Sequence, residues 1–164
     1  MKRQRDIRDM IAPNQNYPRF IPLQVEANLP FRVERKEGSD TIYYAIDDGW
    51  KFKWTDNFEL CVYSGDPGNR FEIGSADFEE EGVQNLVWLD HIQVSRDMRR
   101  RGIGVVMIHL AALVFGPRLR LPGLGEASTS RYYWHDSDGV RLGNSCLRRK
   151  VITPEQLNDL VPNK

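Results

Sequence analysis

Apolar and polar positions fall into a readable pattern from Trp50 onward. Trp50-Lys51-Phe52-Lys53-Trp54 alternates at period two, as a half-buried strand does. Phe58 to Tyr63 follows as a second strand. Asp66-Pro67-Gly68-Asn69 then marks a turn, since proline presets its first central dihedral and glycine or asparagine accepts positive φ. Phe71 to Phe78 is thereby expected to return antiparallel to Phe58 to Tyr63. A polar turn at Glu79 to Gly82 and a more apolar strand from Leu86 to Val94 complete an antiparallel meander.

Past Val94 the period becomes helical. Ile103, Val106, Met107, Leu110, Leu113 and Val114 recur on one stripe, and Gly116-Pro117 stops the helix with a left-handed cap and a residue that cannot continue it. A short strand at Leu119 to Leu121, a helix at Glu126 to His135 and a late strand at Cys146 to Ile152 are expected next. Thr153-Pro154-Glu155-Gln156 reads as a capped helix start, with glutamine placed to complete a capping box. Residues 1 to 40 are interrupted by Pro13, Pro18, Pro22 and Pro30, which leave room only for short helices or extended pieces. Helices and strands together predict an α+β fold, and 164 residues suit a single domain over 1–164.

Composition narrows the function classes. The chain is 40% hydrophobic and 28% charged, and lacks the run of about 18 apolar residues that a membrane span needs. Its longest apolar run, Val105 to Phe115, contains His109 and reads as a buried helix. The basic start Met1-Lys2-Arg3-Gln4-Arg5-Asp6 has no apolar segment behind it, so a cytoplasmic location is expected rather than secretion. Cys61 and Cys146 form no CxxC or Cys/His cluster, so both are expected reduced and no metal is expected. Lys plus Arg and Asp plus Glu number 23 each, which gives no overall electrostatic footprint for nucleic acid. The local runs Arg96 to Arg101 and Arg148-Arg149-Lys150, and the acidic corner Glu79-Glu80-Glu81, read singly as solvated faces.

One segment carries chemistry. Arg99-Arg100-Arg101-Gly102-Ile103-Gly104 joins the apolar strand to the apolar helix. Backbone N–H groups at a helix amino terminus, aligned with the helix dipole, form an anion site that glycines let a phosphate approach. Alternatively, Gly102 and Gly104 relax a tight turn and the arginines are solvated. The segment lacks the GxxxxGK(S/T) of a P-loop, and the three-glycine spacing and βαβ setting of a dinucleotide fold.

The segment resembles motif A of the GNAT superfamily of acyl-CoA-dependent N-acetyltransferases, Q/R-x-x-G-x-G/A, with Arg99, Gly102 and Gly104 at the defining positions and the apolar pair Ile92 and Val94 upstream. The resemblance implies a GNAT-like central, mostly antiparallel, twisted sheet flanked by helices. It implies that the backbone of Ile92, Gln93 and Val94 holds the pantetheine arm and acetyl carbonyl of acetyl-CoA. The N–H groups of Arg99, Arg100, Arg101, Gly102, Ile103 and Gly104 would hold its pyrophosphate, and the arginine side chains need not touch it.

The implied reaction is direct attack of a primary amine on the thioester in a ternary complex, without metal. It needs a deprotonated amine, a polarised carbonyl and an acid for the leaving thiolate. Period-two alternation places Asp90 on one face with Trp88, Ile92 and Val94, where it can act as base or hold the ammonium; a surface carboxylate is the alternative. His91 points to the opposite face by the same argument, and His109 and His135 read as structural. The resemblance further implies a tyrosine acid on the following helix, Tyr133 first and Tyr132 second. There the family has a glycine about four residues on, one helical turn, whereas Gly139 follows Tyr133 by six. Aromatics packed on the sheet are the alternative for both tyrosines. A second function fits the same sequence: a non-catalytic acyl-CoA sensor or protein-interaction module. The acceptor amine, small molecule or protein, is not legible. The late strand and final helix could serve a core or the edge of a homodimer.

Overall fold

The computed structural model describes residues 19–23, 27–65, 71–122 and 137–157. These contain β1 (Phe20–Pro22), β2 (Val33–Lys36), β3 (Ile42–Ala45), β4 (Lys51–Asp56), β5 (Glu59–Tyr63), β6 (Glu72–Glu81), β7 (Leu86–Val94), α1 (Ile103–Phe115), β8 (Leu119–Arg120) and α2 (Ser137–Arg148). The fold is α+β, with one mostly antiparallel sheet whose strands lie in the order of the chain, β1 to β8. The chain divides into two compact units, Met1–Val25 with Phe31–Ser75 and Glu26–Pro30 with Ala76–Lys164.

In the first unit, β1 to β5 pair antiparallel with their chain neighbours. The register sets Tyr43 opposite Phe52, Phe52 opposite Val62 and Trp54 opposite Leu60, so these residues share one face, and all are buried. Each large apolar side chain sequestered in this way contributes about 1.5–3 kcal/mol. The opposite face carries Tyr44, Lys51 and Tyr63 in one row and Ile42, Lys53 and Cys61 in the next. This is the alternation read at Trp50–Trp54, with Phe52 and Trp54 inward and the lysines outward. Phe31 meets Trp50 edge-on at 5.3 Å and stacks on Phe52 at 6.3 Å. Gly49, at φ 74°, closes the β3–β4 turn by donating to the Ala45 carbonyl at 2.7 Å. Gly65 lies against it so closely that a Cβ there would fall 1.6 Å from the Gly49 oxygen.

Several boundaries differ from expectation. Phe58 lies in the turn before β5, its N–H bonded to Asp56 Oδ1 at 2.8 Å. β6 runs on through Glu79–Glu81, so the turn falls at residues 82–85, where Asn85 adopts φ 59°. Glu80 meets Arg118 at 2.8 Å, and Glu81 accepts the Gln84 N–H at 2.8 Å. The corner is thus occupied by internal partners. The turn at Asp66–Asn69 and the helix expected at Glu126 to His135 fall outside the described residues.

In the second unit, β7 and α1 have their expected bounds. α1 is buried over most of its circumference, however, and Leu113 and Val114, expected inward, are exposed. Gly116 ends it at φ 60° and ψ −139°, which is positive φ but not the left-handed helical cap. β8 then pairs parallel with β7, Val87 with Leu119 and Trp88 with Arg120. β7–α1–β8 is therefore a parallel crossover, the βαβ setting that the sequence did not disclose.

The late strand at Cys146 to Ile152 is replaced by α2. Gly139, Gly143 and Cys146 are buried at helical spacing, and Val151 and Ile152 are buried in the bend beyond. Gln156 supplies its half of the capping box, accepting from the Thr153 N–H at 2.9 Å, but the element it closes among the described residues is a single 3-10 turn, Pro154–Gln156. No helix among the described residues is long and apolar enough to cross a membrane.

Candidate functional site

The path from β7 to α1 is pinned before it reaches the glycines. Met98 N–H donates to Ser95 O at 2.8 Å and Arg99 N–H to Arg96 O at 3.4 Å, forming one 3-10 turn. Arg100 follows at φ 64° and Gly102 at φ 91°, ψ 5°. A left-handed conformation costs a non-glycine residue about 1–2 kcal/mol, so Gly102 is where the chain takes it without penalty and Arg100 is where strain is held.

Gly102 caps α1 with backbone only. Among the described residues no side-chain cap bonds the helix amino terminus, its first turn contains no acid, and the first intrahelical bond is Val106 N–H to Gly102 O at 3.1 Å. The N–H groups of Ile103, Gly104 and Val105 therefore have no intrahelical acceptor. Together they present roughly half a positive charge.

The two glycines differ in purpose. Gly102 is set by its dihedrals. Gly104 is set by space, since a Cβ there would stand 3.2 Å from Leu142 Cδ1 and 3.9 Å from Ile92 Cδ1. Its bare backbone lets α2 and the end of β7 close on the first turn of α1, and Ile103 beside it is fully buried. Leu142 and Asp138 thus belong to the surroundings of the site. Sequence reasoning missed both because it did not find α2.

The three arginines also part company. Arg99 Nε donates to the Val94 carbonyl at 2.9 Å, and its Nη1 lies 3.8 Å from Asp138 Oδ2 in the first turn of α2. Asp138 also meets Arg141 at 3.6 Å. Arg100 and Arg101 are exposed.

Beside the loop, β8 accompanies β7 only at Val87 and Trp88, and the next residue, Leu121, bridges Leu157 instead. Among the described residues no strand lies along Leu89–Val94 on that side. This stretch includes Ile92, Gln93 and Val94, and a strand edge without a neighbouring strand presents backbone donors and acceptors in alternation.

Burial along β7 does not follow strict alternation. Val87, Trp88 and Leu89 are buried in succession, and Asp90 and His91 are exposed in succession. Burial therefore does not separate Asp90 from His91 as period-two alternation did, and both are exposed. His109 is buried inside α1, its Nε2 without a hydrogen-bond partner, and desolvation lowers its pKa to about 4. Burial pushes the Cys146 thiol up to about 12 and raises that of Cys61. Tyr132, Tyr133 and His135 lie outside the described residues. No cluster of metal-ligating side chains occurs among the described residues. A shallow groove lined by Asn144, Leu147, Arg148, Lys150, Ile152 and Pro154 at the end of α2 includes none of the expected site residues. No protein-family model, curated protein or solved structure matches the chain.

Proposed function

We propose that the chain is a GNAT-type N-acetyltransferase that moves an acetyl group from acetyl-CoA to a primary amine. The observation that supports this reading is the juxtaposition of a helix amino terminus at Gly102–Val105, capped by backbone alone, with the Ile92–Val94 end of β7, along which β8 does not run. Acetyl-CoA is a diphosphate joined to an extended arm containing two amides and ending in a thioester. The helix terminus suits the first, and the strand edge suits the second through backbone hydrogen bonds.

In the proposed reaction the amine lone pair forms the new C–N bond, the C–S bond breaks, and the thiolate takes up a proton. The nitrogen loses its proton to water or to the exposed carboxylate of Asp90. An N–H at the edge of Ile92–Val94 polarises the thioester oxygen as charge develops there. Direct attack is favoured over an enzyme thioester because both cysteines are buried thiols whose pKa values are raised, and a thiol nucleophile must ionise. Tyr133 remains the proposed acid for the thiolate.

Calorimetric titration with acetyl-CoA, run beside transfer of radiolabelled acetyl to a panel of amines, tests the proposal. Binding with turnover that falls in Asp90→Ala and Tyr133→Phe is the expected result. Binding without turnover on any amine would leave the sensor function, and no binding at millimolar acetyl-CoA would remove the site altogether.

A further inference from the structure

We infer that Arg99 is a positioning residue that holds the anion cradle in shape, and that it works through its hydrogen-bond donor to Val94 and not through charge on a ligand. The inference concerns the site of the proposed function and rests on that reading for its ligand. Its geometry stands alone.

Arg99 is the residue at which the chain leaves the 3-10 turn, and it precedes the left-handed Arg100. Its side chain turns back so that Nε donates to the carbonyl of Val94, the last residue of β7, at 2.9 Å. With Met98 N–H on Ser95 O and Arg99 N–H on Arg96 O, the segment from Val94 to Arg99 closes on itself by three hydrogen bonds. Arg99 follows Val94 by only five positions, so the ring is short and its closure fixes where Arg100 begins. The far end of the guanidinium faces Asp138 at 3.8 Å, an ion pair with both partners about half exposed. That contact is too long for a strong hydrogen bond and too wet to carry much energy.

The consequence falls on the three residues that follow. Arg100 at φ 64° holds a conformation that a free loop would relax, and with Gly102 at φ 91° it aims the N–H groups at the start of α1. A tether at Arg99 restrains that stretch at its upstream end, while the buried Ile103 restrains it downstream. The donor occupies a carbonyl, so it takes nothing from the N–H groups on which the anion site depends. Arg100 and Arg101 are exposed beside it.

Two variants separate donor from charge. Arg99→Gln keeps an N–H donor without charge, and Arg99→Met keeps the apolar stem without a donor. The measurements are hydrogen exchange of residues 95–104 in the ligand-free full chain and calorimetric affinity for acetyl-CoA at low and high salt. Arg99→Met is expected to speed exchange about tenfold and weaken binding about tenfold, whereas Arg99→Gln stays within about threefold of the parent in both. Equal loss of affinity in both variants, with exchange unchanged, would overturn the inference in favour of a direct charge contact. Unchanged exchange in Arg99→Met would overturn it whatever the affinity. If the parent chain does not bind acetyl-CoA, the proposed function falls while the exchange measurement still decides the role of Arg99.

Discussion

His109 makes the stability of the second unit sensitive to mild acid. The imidazole is 3% exposed inside α1, its Nε2 has no hydrogen-bond partner, and desolvation lowers its pKa from 6.5 to about 4. The folded chain therefore holds His109 neutral, while the unfolded chain takes up a proton once pH falls below about 6.5. Because the unfolded state binds more protons in this interval, stability declines as pH falls from about 6.5 to about 4 and levels off below that. At 1.36 kcal/mol per unit, the full effect is about 3 kcal/mol, of which about 2 kcal/mol is lost by pH 5. Against the 5–15 kcal/mol typical of a domain, this is a large fraction.

The assay is urea unfolding followed by tryptophan fluorescence, since Trp50, Trp54 and Trp88 are buried. It is run at pH 7 and pH 5 on the parent chain, on His109→Leu and on His109→Gln. Both variants lack the titrating group, so their loss between the two pH values is expected to be about 2 kcal/mol smaller than that of the parent. His109→Leu also removes an unpaired buried nitrogen, so at pH 7 it is expected to match or exceed the parent in stability. Equal acid losses in all three proteins would refute the reasoning, because carboxylates elsewhere would then account for the whole effect.

The other predictions concern close contacts and thiols. Gly65→Ala is expected to destabilise the first unit by at least about 3 kcal/mol, because the added carbon would overlap the Gly49 carbonyl and only backbone movement relieves it; a urea midpoint near the parent value would refute the fit. Gly104→Val should cost about 1–3 kcal/mol by displacing Leu142, and should weaken acetyl-CoA binding as well, measured by denaturation and calorimetry together. Cys146, with its thiol pushed up to about 12, is expected to react with Ellman's reagent at pH 8 only as the chain unfolds, so rapid labelling of the folded protein would contradict its burial.

What was legible in the sequence followed from how strongly each element announces itself. β4 alternates over Trp50–Trp54, and α1 carries an apolar run broken only by His109 between two glycines; either pattern suffices without knowledge of neighbours. β1 and β2 have three and four residues, among prolines, and their pairing partners hold them extended more than their own side chains do. α2 was hidden for a different reason. Its buried face uses Gly139, Gly143 and Cys146, and glycine weakens a helix by propensity while allowing the close approach that packing rewards. The valine and isoleucine that suggested a strand, Val151 and Ile152, lie just beyond it. At the loop, Gly102 and Gly104 stood out in the sequence, and the structure gives each a use of its own, a positive φ at Gly102 and a close approach to Leu142 at Gly104. The partners of Arg99 were not readable, because Val94 O and Asp138 meet it only through the turn and through α2.

Asn28 N–H donates to the Arg149 carbonyl at 2.9 Å, and Arg149 Nη1 donates back to the Asn28 carbonyl at 3.0 Å. The partners are 121 residues apart in the chain, yet both belong to the second unit, whose Glu26–Pro30 segment interrupts the sequence of the first. During synthesis this clasp must wait until α2 has left the ribosome, long after the antiparallel pairs β1 to β5, each made with the next strand, have their partners in hand. A fragment beginning at Ala76 would carry the β7–α1 loop, α1 and α2 but not the clasp. Cutting the chain between β5 and β6 therefore separates residues that the fold joins, and any attempt to isolate the second unit must bring residues 26–30 with it.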